Sequence, residues 1–204
     1  MHKILSTDKM RQAEQNAVTR GISLLQLMEN AGSGATTALL ENHANAQRGL
    51  MICGKGNNGG DALVMVRLLA KHGIQADVLF VLGEKLSDLA QINRNKLPEN
   101  TLIHYSGSSL DYAKYDFFVD AVFGTGFSGS LPENIAAVFS TVNQQSAKRF
   151  ALDIPSGIDC DTGLVADNTF QAHTTFAFGA LKPAHTMANA QKYCGNIQVI
   201  DIGI

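Results

Sequence analysis

Eight residues, Gly54-Lys55-Gly56-Asn57-Asn58-Gly59-Gly60-Asp61, set the strongest limit on what this chain can fold into. The apolar run Leu50-Met51-Ile52-Cys53 precedes them and reads as a buried strand. Ala62-Leu63-Val64-Met65-Val66-Arg67-Leu68-Leu69-Ala70 follows at helical spacing. Strand, glycine-rich turn and helix in that order open a nucleotide-binding β-α-β unit. Glycine permits the tight turn and lets a ligand approach with no Cβ in the way. The loop fits Gly-x-Gly-x-x-Gly as Gly54, Gly56 and Gly59. Asp61, however, follows where the first turn of the helix would receive a pyrophosphate, and a carboxylate there repels an anion. Nor does the loop end in the Gly-Lys-Ser/Thr of a phosphate-binding P-loop. Its side chains suit sugar hydroxyls, an amide or a cation.

Before the loop, helices are expected at 7–20 and about 23–42. Gly32 and Gly34 inside the second predict close packing on a neighbour. This arm either covers the core or serves as a lid or dimer contact. After it, strands are expected at 50–54, 76–82, 101–105, 115–120, 150–154, 174–178 and 197–200. Helices at 60–72, 86–96 and 132–145 and a short turn near 109–113 fall between them. Near-continuous apolar strands alternating with helices predict a parallel sheet covered on both faces. The expected fold is α/β, a Rossmann-like three-layer αβα sandwich with a mostly parallel sheet and an N-terminal helical arm. No polar linker breaks the chain, so 1–204 reads as one domain.

Composition excludes several classes. With 45% hydrophobic and 17% charged residues the chain is a compact globule rather than a disordered one. A net charge of -2 leaves no footprint for nucleic acid or an anionic membrane. No apolar run approaches the roughly 18 residues of a membrane span, and the first residues lack a signal-peptide core. Cys53, Cys160 and Cys194 are odd in number and widely spaced, which fits bystander thiols in a reducing cytoplasm. The six histidines, at 2, 43, 72, 104, 173 and 185, show no metal-ligand spacing.

In an open α/β sheet, ligands bind beyond the carboxyl ends of the strands. Three predicted strand ends carry polar, glycine-rich loops: the 54–61 loop, Asp120 to Gly129, and Asp153-Ile154-Pro155-Ser156-Gly157. Together they would line one crevice. Each acid also has a plainer reading: Asp61 as a helix cap, Asp120 and Asp153 as partnered turn carboxylates. Asn58, Asp120 and Ser156 form an oxygen set with one formal charge. It favours a weakly held cation over zinc, although hydrated magnesium stays open.

These motifs, with Met28-Glu29-Asn30-Ala31-Gly32 and the final Gly195 to Gly203, resemble the N-terminal YjeF domain, the NAD(P)H-hydrate epimerases, over essentially the whole chain. The resemblance implies a nucleotide-repair enzyme. Its substrate would be NADH or NADPH hydrated at C6 of the nicotinamide ring (NADHX, NADPHX). It would interconvert the R and S forms for a separate or fused S-specific dehydratase. Residue by residue, it implies one potassium ion on Asn58, Asp120 and Ser156. It implies substrate contacts from Asn57, Asn58, Gly59, Gly60 and Asp61, from Gly124, Thr125, Gly126, Phe127, Ser128, Gly129 and Ser130, and from Asp153. A homodimer through the N-terminal arm is also implied.

Chemically, the ring nitrogen can expel the C6 hydroxyl once an acid protonates it, and water can return on either face. Asp153 is the expected proton-transfer residue; burial would favour its acid form and a bound cation its carboxylate. Some members have Lys where this chain has Ser128, so no lysine role transfers there. Lys182, in Leu181-Lys182-Pro183-Ala184, has two readings, a contact with a substrate phosphate and a solvated strand-end lysine, of which the second is expected. Two rivals differ in class. One is a non-catalytic nucleotide-binding or scaffold module of the same fold, against which the intact Asn58, Asp61, Asp120 and Asp153 speak. The other is a Rossmann oxidoreductase, for which no Tyr-x-x-x-Lys relay appears.

Overall fold

The computed structural model describes residues 3–204; Met1 and His2, one of the scattered histidines, lie outside them. Helices α1 (Thr7–Thr19) and α2 (Leu24–Asn42) come first. The Ser6 and Ser23 side chains accept the backbone N–H of Lys9 and Gln26, satisfying orphan donors at the two helix starts. Strands β1 (Arg48–Cys53), β2 (Gln75–Phe80), β3 (Ile103–Tyr105), β4 (Phe117–Ala121), β5 (Lys148–Leu152), β6 (Thr174–Phe178) and β7 (Asn196–Ile200) follow. Helices α3 (Asn57–Lys71), α4 (Asp88–Arg94) and α5 (Glu133–Asn143) lie between them, as expected. A 3₁₀ turn at Pro183–Thr186 and helix α6 (Ala188–Cys194) were not expected from the sequence. The expected turn near 109–113 is a 3₁₀ turn at Tyr112–Lys114.

The strands form one sheet in the order β3-β2-β1-β4-β5-β6-β7, and every neighbouring pair is parallel. Side chains alternate between its faces. Met51, Cys53, Phe117, Val119 and Ala121 join α2, α3 and α4 in one buried layer. Leu50, Ile52, Phe118 and Val122 join Ile135, Phe139 and Val142 of α5 in the other. The three-layer fold is therefore observed, with a wholly parallel sheet. Gly32 and Gly34 do mark close approaches. A Cβ on Gly32 would stand 2.5 Å from Val64, and one on Gly34 2.3 Å from Ile200. Among the described residues no helix is long and apolar enough to cross a membrane.

The strand order reverses direction at β1 and β4. The crevice beyond their carboxyl ends is where an open parallel sheet binds ligands.

Candidate active site

That crevice holds a cavity of about 290 Å³. Its floor comes from the loops after β1, β4 and β5, through Asn57, Asn58, Asp61, Gly124, Thr125, Gly126 and Asp153. The N-terminal arm supplies its opposite wall, through Met10, Arg11 and Glu14 of α1 and Leu27 and Met28 of α2. The Thr7 N–H donates to Asp161 Oδ1 at 2.9 Å and its hydroxyl to the Thr125 carbonyl at 3.2 Å, pinning α1 to the site. The arm thus both covers the core and closes the site.

Close packing explains Gly54 and Gly59 of the first loop. A Cβ on Gly54 would fall 2.0 Å from the Val122 carbonyl oxygen, and one on Gly59 2.4 Å from the Gly54 oxygen. Gly56 is the N-cap of α3 and has open space around it. Helix α3 begins at Asn57, so Asp61 is its fifth residue and its first turn carries no acid. The expected repulsion in the first turn is therefore absent, and so is a capping role for Asp61. Instead Asp61 is buried at the cavity. Burial, with Asp153 and then Glu14 adding like charge, holds its carboxyl well above the usual range, with no offsetting hydrogen bond among the described residues. Burial followed by Asp153 raises Glu14 as well.

Behind the cavity floor, Asp120 is fully buried at the end of β4. It accepts the Ser156 N–H at 2.6 Å, the Ser156 hydroxyl at 2.7 Å and the Val122 N–H at 3.1 Å. Burial pushes its carboxyl up to about 7 despite these bonds. The Asn58 amide donates to the Phe123 carbonyl at 3.0 Å and the Leu152 carbonyl at 3.3 Å. The Ser156 hydroxyl lies 3.3 Å from the same Phe123 oxygen. Asn58, Asp120 and Ser156 are therefore brought together with two backbone carbonyls. Only neutral donors meet the single carboxylate, so the set carries one formal negative charge at most. Among the described residues no group of three or more His, Cys, Asp or Glu is arranged for a metal.

Asp153 follows β5 with φ 65°, a left-handed conformation that Asp tolerates better than most residues. Its Oδ1 accepts Lys182 Nζ and, at 3.3 Å, the Phe178 N–H. Its Oδ2 lies beside Gly124, 3.5 Å from where a Cβ on that glycine would stand. Lys182 is not the solvated lysine expected. It is fully buried, and it also donates to the Phe178 carbonyl at 2.7 Å. His185 Nδ1 accepts the Lys182 N–H at 3.0 Å, and burial followed by the Lys182 charge lowers that imidazole to about 4. A long side chain so placed is stable only because its charge is paired and its donors are used.

Not every expected contact lies in the cavity. Gly59 and Gly60 are buried behind it, Gly60 against Met28. Phe127 turns inward onto Phe123, with ring centroids 5.2 Å apart, and Ser128, Gly129 and Ser130 are exposed outside its lining. Sequence reasoning missed Lys182, Glu14 and Arg11. Lys182 is the only charge between Thr174 and Ala184, and nothing in that run tells which way it points. Glu14 stands four residues after Met10, on the same helix face.

The chain is 36% identical over 98% of its length to the bifunctional NAD(P)H-hydrate repair enzyme Nnr of Pyrobaculum aerophilum, of which it spans 42%. It is 32% identical over its full length to the NAD(P)H-hydrate epimerase of Pirellula staleyi, covering 94% of that protein. It has the same identity to the epimerase of Lentilactobacillus buchneri, covering 96%. The crystal structure of yeast ynu0 shares the fold, with a TM-score of 0.81 at 23% identity over 92% of this chain and 86% of that one. The family model of the YjeF-related protein N-terminus matches residues 24–184, and the chain belongs to that family.

Proposed function

We propose that this protein is an isomerase that interconverts the R and S epimers of hydrated NADH and NADPH at C6 of the nicotinamide ring. It would feed a dehydratase that acts on the S form. One observation carries the reading: the switch-point cavity brings Asn57, Asn58, Asp61, Gly124, Thr125, Gly126 and Asp153 together. It does so in a chain whose full-length relatives are named NAD(P)H-hydrate epimerases.

In this mechanism the ring nitrogen expels the C6 hydroxyl. The C6–O bond breaks, a C6–N double bond forms, and the hydroxyl leaves as water with a proton from Asp61. Water then adds to either face and returns a proton to Asp61. What supports this assignment is its unpaired, buried carboxyl, held above the ordinary range. The ring is positively charged between the two steps, and the Asp153 carboxylate, paired on its far side with Lys182, faces that charge through Oδ2. This divides between two carboxyls the work expected of Asp153 alone. α1 and α2, which wall the cavity, would cover the reacting ring.

A potassium ion fits the set formed by Asn58, Asp120, Ser156 and the Phe123 and Leu152 carbonyls. When bound, it would neutralise Asp120 and tie the three loops together. A cytoplasmic setting and a homodimer through the N-terminal arm belong to the same reading, and light scattering checks the second.

The test mixes R,S-NADHX with an S-specific dehydratase and ATP, adds this protein, and follows NADH recovery in potassium and then sodium buffer. Faster consumption of the R form, greater in potassium, is expected. No acceleration over spontaneous epimerisation by folded protein would favour a non-catalytic module.

A further inference from the structure

Lys182, like Asp120, is wholly buried beside this site. Its whole side chain is out of solvent, while that of Asp153 is 13% exposed. Five contacts fix the pair. Lys182 Nζ meets Asp153 Oδ1 and the Phe178 carbonyl. The Phe178 N–H also reaches Oδ1, and His185 holds the Lys182 backbone. The Asp153 N–H donates to the Phe176 carbonyl at 2.8 Å. All the donors therefore converge on one carboxylate oxygen, and Oδ2 is left beside Gly124, a residue of the cavity wall. A carboxylate held this way cannot rotate to exchange its oxygens without breaking a buried ion pair, which is strongly unfavourable.

We infer that Lys182 is a positioning residue for epimerisation: it clamps Asp153 by Oδ1 so that Oδ2 alone is presented to the substrate ring. This rests on the function proposed above. It assigns a task to the strand-end segment Phe178 to His185 that carries the lysine. Its 3₁₀ turn, through His185, then holds the lysine's backbone in place. The clamp acts on the reacting ring and not on the rest of the nucleotide. It therefore affects turnover and leaves binding largely alone.

The test is steady-state kinetics of Lys182→Met, which keeps much of the side-chain length and removes the charge. A misoriented catalytic group costs on the order of 100-fold, so kcat should fall by about that factor. KM should stay within about threefold, the pattern of an interaction made in the transition state. A structural role alone would lower the active fraction and Tm and leave the kcat of the folded enzyme unchanged. If Lys182→Met does not fold, Lys182→Arg keeps the charge in the slot but alters its contact with Oδ1, and the same split is expected. Wild-type kcat in either folded variant overturns the clamp while the epimerase reading stands. A folded wild-type protein with no epimerase activity overturns both.

Discussion

Ser156 holds Asp120 through two bonds at once, its backbone N–H on Oδ2 at 2.6 Å and its hydroxyl on Oδ1 at 2.7 Å. The bonds join the end of β5 to the end of β4, and the same hydroxyl accepts the Phe123 N–H at 2.9 Å. Ser156→Ala leaves a buried carboxylate oxygen and a backbone N–H short of partners. The expected loss is about 1–3 kcal/mol of stability. Chemical denaturation checks it, and a change below a few tenths would show that water replaces the hydroxyl.

Asp120 also predicts a dependence on pH. Its carboxyl ionises near 3.8 when unfolded and at about 7 when folded, because burial penalises the charge. Between those values the folded state holds more protons, so this group's contribution to stability falls as pH rises from about 4 to about 7 and then levels off. Asp61 and Glu14, both raised, act in the same direction. A cation on the ionised site would offset the loss. Potassium should therefore raise Tm more at pH 8 than at pH 5, relative to tetramethylammonium. Asp120→Asn should abolish that difference; an equal potassium effect in the variant would place the cation elsewhere.

Asp61→Asn removes the proposed proton donor with little change of shape. A fall in kcat of about 10²–10⁴ is expected, the usual worth of a positioned acid. Because ionising the buried carboxyl opposes folding, Tm at pH 8 should hold or rise. Activity within threefold of wild type would move the acid role to Glu14 or Asp153.

Two glycines of one motif should behave oppositely. Gly54→Ala drives a methyl into the Val122 carbonyl, a backbone group that cannot swing aside. A loss of about 1–3 kcal/mol or more is expected. Gly56→Ala meets open space at φ -93° and should cost about 1 kcal/mol or less, the ordinary effect of alanine at an N-cap. Melting curves of the two variants decide this, and similar losses would contradict the loop packing.

The layers of this fold were legible because near-continuous apolar strands such as Leu50-Met51-Ile52-Cys53 send alternate side chains to two helical layers. The three strand-end loops were legible because parallel sheets place such loops at one edge. Lys182 was not legible: a single lysine after a strand has no periodicity to betray whether it turns out or in. Only the folded contacts with Asp153, the Phe178 carbonyl and His185 show that it turns in. The sequence order of Gly124 to Ser130 likewise hides a division. Gly124, Thr125 and Gly126 line the cavity, while Phe127 turns into Phe123 and sends Ser128 to Ser130 outward. Glu14 lies more than a hundred residues from Asp153, and only the docking of α1 through Thr7 brings the two to one cavity.

The most direct measurement takes a single epimer of NADHX in ¹⁸O-labelled water and follows the other epimer by chromatography and mass spectrometry. The account predicts that the protein speeds its appearance and that each new epimer carries one labelled oxygen at C6, because the hydroxyl leaves and water returns. An epimer formed with its original oxygen, or no acceleration by the folded protein, would contradict it.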